Sequence, residues 1–231
     1  MMKRIFTVLA VLMFGVIFAR MIGDYSERQS VSALAEHYLT TVPQELGAPN
    51  VVTGILITFR GFDTLGEVAV LFMVAASVGL LLSNKPDAET KPKTAAQPRR
   101  PSELVENGAE VILPLIFLFG AYVIMNGHLS AGGGFQGGAV VASAVMLLLL
   151  AKPSSRLHHG FLSITESLAG VLYVSIGILG LIFAAGFLDS HILPKGQFGT
   201  LFSAGAIPLI STLLGIKVGA ELSVIIDRFR N

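Results

Sequence analysis

Residues 111–151 read VILPLIFLFGAYVIMNGHLSAGGGFQGGAVVASAVMLLLLA, two apolar segments separated by the glycine-rich stretch 127–138. Each apolar segment approaches the roughly 20 residues that a helix needs to cross the hydrocarbon core of a bilayer. The whole chain of 231 residues is 53% hydrophobic and only 13% charged, whereas soluble domains carry about 25% charged residues. The sequence therefore predicts an all-α, polytopic integral membrane protein in which the glycine-rich stretch is a turn between two spans.

Four further apolar segments lie outside this hairpin. Together with the pair that flanks the glycine-rich turn they give six predicted spans, at about 4–22, 64–83, 110–126, 136–152, 163–186 and 202–224. Lys3 and Arg4 precede the first segment, so a cleaved signal peptide is the alternative to a retained helix. The proline- and lysine-containing stretch 84–107 is predicted to be a cytoplasmic linker between a two-span module, 1–83, and a four-span module, 108–231.

The distribution of Lys and Arg residues predicts the orientation, because these residues concentrate in cytoplasmic loops. With the N-terminus inside, eleven of the sixteen fall on the inner face, namely Lys3, Arg4, Lys85, Lys91, Lys93, Arg99, Arg100, Lys152, Arg156, Arg228 and Arg230. The outer face holds Arg20, Arg28, Arg60 and Lys195, and Lys217 lies within the sixth span. Both termini are therefore predicted to be cytoplasmic, with the glycine-rich turn on the outer side.

The composition argues against several classes of function. The chain has no Cys, which excludes disulfides and thiolate-held iron–sulfur clusters within it. Its five His residues lack metal-ligand spacing, so neither a metal nor a cofactor is expected, and the net charge of +1 gives no reason to expect nucleic acid. Gly132, Gly134 and Gly137 spell G-x-G-x-x-G, but a dinucleotide site needs a preceding strand. No nucleophile–base pair is visible, so no catalysis is expected in this chain itself.

Ionisable residues in or beside the spans are the candidates for function, because charge in a bilayer is costly and commonly marks an ion pathway. Arg60, Asp63 and Glu67 are spaced three and four apart, so a helix places them on one face. The apolar run before them is too short to cross, and the chain is expected to bend near Gly61, with 50–60 along the outer interface or re-entrant. Glu67 is then either a proton- or cation-handling carboxylate or the partner of Arg60 in an interfacial ion pair.

The fifth and sixth spans hold the remaining charged candidates. Lys217 and Glu221 form an i,i+4 pair, either a buried charge relay or a pair that reaches the cytoplasmic interface. Pro208 precedes them and is expected to kink the sixth helix. Glu166 lies near the start of the fifth span, where a helix N-terminus favours a carboxylate, so a structural role is the alternative to ion handling.

Glycines are the second feature that the sequence singles out. Those of the turn are Gly132, Gly133, Gly134, Gly137 and Gly138. They are expected to permit a tight reversal and close helix packing, or alternatively to form a non-helical segment that lines a hydrated cavity. Gly215 and Gly219 form a G-x-x-x-G that permits close packing of the sixth span. His128 in the turn either titrates near neutral pH or is a hydrogen-bonded structural residue, and Asp189 and His191 in the last outer loop are predicted to be solvated.

Two parts of the chain resemble known membrane proteins. Residues 113–144, LPLIFLFGAYVIMNGHLSAGGGFQGGAVVASA, and 196–225, GQFGTLFSAGAIPLISTLLGIKVGAELSVI, resemble the B subunit (MnhB) of Mrp-type Na⁺/H⁺ antiporters. Residues 50–72, NVVTGILITFRGFDTLGEVAVLF, resemble the C-terminal tail of the large antiporter A component, which is a separate small protein in membrane-bound hydrogenases. Ala131 stands where the family has Pro. The placement of this tail ahead of the B-like module favours a respiratory complex of the hydrogenase or sulfur-reducing type.

The resemblance implies one component of a multi-subunit Na⁺/H⁺ antiporter module in the cell membrane of a prokaryote, in contact with the lipid bilayer. Its implied partners are other Mrp-type antiporter subunits, including the large complex I-like ones, and hydrogenase-like iron–sulfur subunits. In the DTLGE motif, residues 63–67, the resemblance assigns the ion-handling carboxylate to Glu67, with Asp63 beside it. The Lys217–Glu221 pair is the second candidate on an ion path. The rival interpretations are a purely structural scaffold in a stand-alone antiporter and a self-sufficient transporter, although no paired, broken-helix repeats are visible.

Overall fold

The computed structural model describes residues 2–27, 30–83 and 101–230. Within these ranges the helices are α1 (Met2–Gly23), α2 (Ala33–Thr41), α3 (Val51–Gly54), α4 (Gly61–Ser83), α5 (Glu103–Met125), α6 (Gly134–Ala151), α7 (His159–Phe183) and α8 (Ile207–Arg230). Short π-helical turns cover Val42–Leu46 and Ile55–Phe59, and a 3-10 turn covers Ser190–Ile192. The described part of the chain has no strand, and the all-α fold is confirmed.

Six of these helices are long and apolar enough to cross a membrane. They are α1 and α4 to α8, with candidate spans of 18 to 25 residues, so the predicted number of spans is confirmed. Many side chains on their outer surfaces are large and apolar, among them Phe72, Leu118 and Leu181. Contiguous apolar surface of this extent is rare on a soluble monomer and marks contact with lipid or with partner proteins.

The chain folds as two compact units, residues 1–37 and 38–231. The first unit contains α1 and the beginning of α2. In the second unit α8 is the central helix, since it contacts α4, α5, α6 and α7 and is the most deeply buried of the six candidate spans. Three charged residues of α8, Lys217, Glu221 and Asp227, are therefore inside the protein, and they must find partners there.

The sixth span begins later than the sequence predicts. The helix starts at Ile207 rather than near 202, and Pro208 is its second residue. The prediction that Pro208 kinks the helix is therefore wrong. The first N–H groups of a helix have no intrahelical partner, so proline fits there without breaking a hydrogen bond.

The third span begins earlier than predicted, at Glu103. Ser102 caps it, because its hydroxyl oxygen accepts a hydrogen bond from the backbone N–H of Val105 at 3.4 Å. Residues 103–107, assigned to the linker from sequence, are therefore helical. The rest of the predicted linker, up to residue 100, lies outside the described residues.

The bend predicted near Gly61 is present. The short helix α3 and the π-helical turn that follows it end at Arg60, whose φ of −125° and ψ of 37° leave the helical region. The new helix α4 begins at Gly61, where an added Cβ would lie 2.8 Å from the carbonyl oxygen of Phe187. Thr64 in the first turn of α4 donates to the carbonyl oxygen of Leu56 at 2.9 Å. Residues 51–59 therefore form a separate short segment that packs back on α4.

Candidate functional site

The glycine-rich turn between α5 and α6 is held by side chains of the segment that precedes α4. Gly132 and Gly133 have φ values of 148° and 151°, a conformation that glycine adopts easily and other residues rarely adopt. The amide nitrogen of Asn50 donates to the carbonyl oxygen of Gly127 at 2.7 Å, and the hydroxyl of Thr53 donates to the same oxygen at 2.8 Å. The parts of the chain assigned from sequence to different modules therefore meet at this turn.

The first residues of α6 lie directly against α8. A Cβ added to Gly138 would lie 2.8 Å from the carbonyl oxygen of Gly215, and one added to Gly134 would lie 2.7 Å from Cβ of Leu214. On α8, a Cβ added to Gly219 would lie 3.3 Å from a methyl group of Val141. Backbone-to-backbone contact of this kind is how small residues bring membrane helices together. It fixes the position of the turn relative to α8.

Glu67 and the glycine-rich turn line the same cavity, of about 340 Å³. Its polar lining side chains are Glu67, Thr53, Thr64, Gln136 and Ser211, and the backbone of 132–134 completes the polar wall. The hydroxyl of Ser211 is buried and has no hydrogen-bond partner in the described parts of the chain. The lining of the cavity therefore combines a carboxylate, hydroxyl groups and backbone peptide groups. We name it the Glu67 cavity.

Arg60 pairs with Asp63 rather than with Glu67. The guanidinium and the Asp63 carboxylate form an ion pair one turn before Glu67, and both side chains are exposed. An exposed pair of this kind contributes at most about 1 kcal/mol to stability. The interfacial pair between Arg60 and Glu67, one of the two sequence interpretations, is therefore not formed in this structure.

The Lys217–Glu221 pair on α8 is part of a three-residue cluster. Nζ of Lys217 lies 3.0 Å from Oε2 of Glu221 and 3.2 Å from Oε1 of Glu166, which comes from α7. The exposed side-chain fractions are 8% for Lys217, 0% for Glu221 and 16% for Glu166. The Lys217 ammonium also lies 5.8 Å from the ring centre of Phe72 on α4. Glu166 thus meets a buried ammonium, a contact that its position near a helix start did not indicate.

A second cavity, of about 450 Å³, opens beside this cluster. The side chains of Glu166, Glu221, His159, Arg228 and Ser163 contribute to its walls. Oε1 of Glu221 is buried and has no hydrogen-bond partner within residues 2–27, 30–83 and 101–230. We name this space the Glu221 cavity.

His159 and Asp227 form a contact that the sequence analysis missed. Nε2 of His159 lies 2.8 Å from Oδ2 of Asp227, and Arg230 lies 2.9 Å from the other carboxylate oxygen. The Asp227 side chain is 2% exposed, whereas that of His159 is half-exposed. The one available signal was that Asp227 follows Glu221 by six positions on a largely apolar helix. No spacing rule could have paired it with a histidine at the start of α7.

His128 is fully buried beneath the loop that follows α7. Its Nε2 lies 3.3 Å from the carbonyl oxygen of Thr200, and its Nδ1 has no partner among the described residues. Burial lowers the pKa of His128 below its ordinary value, although backbone hydrogen bonds from the loop act in the opposite direction. The neutral imidazole is therefore favoured at pH 7, which supports the structural alternative for this residue.

The prediction that Asp189 is solvated is wrong. The residue is 6% exposed, and its carboxylate accepts hydrogen bonds from the backbone N–H groups of Ala185 and His191, each at 3.0 Å, and contacts Nδ1 of His191 at 2.5 Å. Burial raises the pKa of Asp189, but these hydrogen bonds outweigh burial and leave the pKa below its ordinary value. Asp189 thus organises the loop after α7, because it caps the start of the 3-10 turn Ser190–Ile192, where N–H groups lack a partner within the turn, and also binds the N–H of Ala185. His191 is half-exposed, as predicted.

Two family models match successive parts of this chain. Residues 104–224 match the model described as the domain related to the MnhB subunit of Na⁺/H⁺ antiporters. Residues 2–98 match the model described as the E subunit of MBH.

Two relatives align with most of the chain. An uncharacterized protein of Methanocaldococcus jannaschii is 28% identical over 198 residues, which are 76% of this chain and 74% of the relative. A probable K⁺/H⁺ antiporter protein of Rhizobium meliloti, which combines the A and B subunits, is 29% identical over 225 residues. These residues are 84% of this chain but only 22% of that protein.

Two solved structures have a similar fold. A chain of the membrane-bound sulfane sulfur reductase, an archaeal respiratory membrane complex, is 40% identical with a TM-score of 0.79, and the match covers 99% of this chain and 98% of that chain. A chain of the Mrp complex from Dietzia sp. DQ12-45-1b is 21% identical with a TM-score of 0.75, and the match covers 98% of this chain and 26% of that chain. The second similarity is one of fold alone.

Proposed function

This chain belongs to the family of domains related to the MnhB subunit of Na⁺/H⁺ antiporters, and from that membership we propose what its ionisable side chains do. It is a subunit of an Mrp-type antiporter or membrane-bound hydrogenase-like respiratory complex, and a multi-pass protein of a prokaryotic cell membrane. Its partners include other antiporter-like subunits. Within that assembly the chain helps to form the path of the transported cation or proton.

The observation that carries this proposal is the shared cavity of Glu67 and the glycine-rich turn. Ionisable side chains in membrane segments are costly and mark ion pathways unless they are paired, and Arg60 is already occupied by Asp63. Carboxylate, hydroxyl and carbonyl oxygens are the ligands that hard cations prefer, and all three types line this cavity. Glu67 is therefore proposed to receive the ion, Na⁺ or H⁺, from a neighbouring protein of the complex.

The irregular backbone of the turn fits the same role. Non-helical backbone at a membrane surface is tolerated where protein buries it or where it lines a wet cavity. Here Asn50 and Thr53 bind one side of the turn, and the other side faces the Glu67 cavity. The turn is proposed both to join the two modules and to supply part of the cavity wall.

The complex is proposed to be of the redox-driven respiratory type, with iron–sulfur subunits among its partners. The support is the match over nearly the whole chain to one chain of an archaeal respiratory complex and the match of the N-terminal part to the MBH model. This chain has no Cys, so any such cluster would be held by a partner.

The experiment is to place Glu67→Gln in the native complex and to measure ion transport in inverted membrane vesicles. We expect transport to be lost while the complex assembles normally, because the amide keeps the shape but cannot carry the charge. The matched control is Glu110→Gln, the same change on an exposed carboxylate that pairs with Lys152 at 2.6 Å, away from the cavity. Mass spectrometry of the purified complex checks assembly and identifies iron–sulfur partners. Full transport by an intact Glu67→Gln complex would favour the scaffold role.

A further inference from the structure

We propose that Glu221 is a second, separate ion-handling group, a proton-binding carboxylate that is loaded through the Glu221 cavity by His159. The inference rests on the proposed function in one respect, since it assumes that the complex moves protons. It concerns a different cavity, other helices and a different carboxylate from those of the Glu67 site.

The first support is the unequal environment of the two Glu221 oxygens. Oε2 accepts a hydrogen bond from Nζ of Lys217 at 3.0 Å. The other oxygen, Oε1, is buried and has no hydrogen-bond partner among the described residues. Glu221 is one of the residues that line the cavity. A buried carboxylate oxygen without a donor is costly. A proton on Oε1 removes the negative charge and supplies a donor, so this oxygen is where the site can be loaded.

The second support is the set of charges around Glu221, which favours a proton over a metal cation. Lys217 lies on the same helix, Glu166 and His159 face the cavity from α7, and Arg228 lies on its wall. The α4 wall consists of Phe72, Ala75 and Ala76, none of which titrates. A sodium ion beside Oε1 would be repelled by the neighbouring ammonium. A proton forms an O–H bond with the carboxylate and leaves a neutral group.

The third support is that Lys217 has two alternative acceptors. When Glu221 is protonated, the Lys217–Glu221 attraction falls, and the ammonium stays paired with Oε1 of Glu166 at 3.2 Å. When Glu221 gives up its proton, the Lys217 ammonium again pairs with both carboxylates, those of Glu221 and Glu166. The proton that arrives on Oε1 leaves from the same oxygen, so no other covalent bond changes. The cluster therefore keeps its ammonium paired in either state and avoids an unpaired buried charge, which would be strongly destabilising.

The fourth support is a route for the proton. His159 lines the Glu221 cavity and also a neighbouring cavity of about 530 Å³ with Arg156, Asp227 and Arg230 on its wall. An imidazole ring can accept a proton on one nitrogen and release it from the other. The 2.8 Å contact with Asp227 orients its ring, so Asp227 is a positioning residue. The half-exposed His159 side chain thus lies between the second of these cavities and the cavity that the buried Glu221 lines.

The direct test is carbodiimide modification, which attacks protonated carboxyl groups in apolar surroundings. The native complex is treated with dicyclohexylcarbodiimide over a range of pH, and the modified peptides are identified by mass spectrometry. We expect modification of Glu221 that increases as the pH falls, slower modification in His159→Asn, and none at that position in Glu221→Gln. Absence of modification of Glu221 at every pH would overturn the proposal.

The transport test separates this site from the Glu67 cavity. Glu221→Gln is expected to lower proton transport by about 100-fold, the lower end of what a positioned proton-transfer group contributes, and Glu110→Gln is the control. The double variant Lys217→Gln/Glu221→Gln removes both charges, which keeps assembly possible if the single variant leaves Lys217 poorly paired. Imidazole in the buffer is expected to restore transport to His159→Asn.

The outcomes distinguish failure of this inference from failure of the proposed function. Normal transport by an assembled Glu221→Gln complex, or by the double variant, would overturn the role of Glu221 even if Glu67→Gln abolishes transport. A His159→Asn complex that imidazole does not rescue would overturn the relay. If Glu67→Gln transports normally while Glu221 is modified as described, the Glu67 proposal fails and this one stands.

Discussion

At the scale of single residues, burial decides which ionisable groups must find partners within this chain. Asp63 is exposed and paired with an exposed arginine, so its charge is largely solvated. Glu221 is fully buried and shares one lysine with Glu166. The sequence places all three carboxylates on helices but does not distinguish an exposed pair from a buried cluster, because that depends on which helix face another helix covers.

A prediction at this scale concerns the pH dependence of the glycine-rich turn. Burial lowers the pKa of His128 in the folded state, so the unfolded turn binds a proton more readily than the folded one. The contribution of His128 to the stability of the turn is therefore complete above the ordinary histidine pKa of about 6.5 and is lost progressively as the pH falls from there through the lowered pKa of the folded state. Hydrogen exchange of the peptide 127–138, corrected for intrinsic rates, is expected to accelerate on acidification.

The control for this prediction is His128→Gln, which keeps a hydrogen-bonding side chain but cannot titrate. Its exchange in the same peptide is expected to depend little on pH over the same range. An equal acceleration in both proteins would show that some other group loosens the turn.

At the scale of secondary-structure elements, the contact of α6 with α8 is the one that positions the Glu67 cavity. The turn and α6 carry the wall of the Glu67 cavity, and α8 carries Ser211 of that cavity and Glu221 of the other. Gly138 makes this contact because its backbone lies against the backbone of Gly215. A change in the spacing of these two helices would therefore affect the Glu67 cavity, whose walls both helices supply.

The corresponding prediction is that Gly138→Val destabilises the protein. The added side chain must displace the backbone of α8, and overpacking of this kind costs about 1–3 kcal/mol. We expect a lower yield of assembled complex and a lower unfolding temperature by size-exclusion chromatography after heating. The control is Gly108→Ala in α5, where nothing lies within 4 Å of the added Cβ. That change should be neutral or stabilising, by up to about 1 kcal/mol from helix propensity. Equal losses in both variants would contradict the packing argument.

At the scale of the whole molecule, the membrane topology is the prediction that most affects the mechanism. The excess of Lys and Arg predicts that the termini and the Glu221 cavity lie on the cytoplasmic side and the glycine-rich turn on the outer side. With this topology, Glu67 lies near the outer side of the membrane and Glu221 near the cytoplasmic side. The protein would then contribute one ion-handling carboxylate to each half of the transmembrane path.

Labelling of introduced cysteines tests the topology, because the chain has no Cys of its own. Ser130→Cys in the turn is expected to react with an impermeant maleimide in intact cells. Ser154→Cys, in the connection between α6 and α7, is expected to react only in inverted vesicles. The reverse pattern would mean that the termini face outward, and the Glu221 cavity would then be open to the outer side.

Much of the element-level structure could be predicted from sequence. The six spans, the bend near Gly61 and the reversal at residues 127–138 are local properties, since they depend on the length of apolar runs and on glycine content. The start of α8 could not be placed from hydropathy, because the loop before Ile207 is itself apolar. Asp189 was misassigned because a polar loop residue gives no local sign that the loop folds back over it.

The sequence by itself thus determined that this is a six-span membrane protein of the MnhB-related family, because membrane spans and family motifs each depend on residues that are contiguous in the chain. Only the tertiary structure decided that Glu67 shares a cavity with the glycine-rich turn, that Glu166 joins Lys217 and Glu221, and that His159 meets Asp227. These partners lie on different helices and are mostly 50 or more positions apart in the chain. Their meeting depends on how the helices cross, which backbone contact at glycines controls and which no local pattern records.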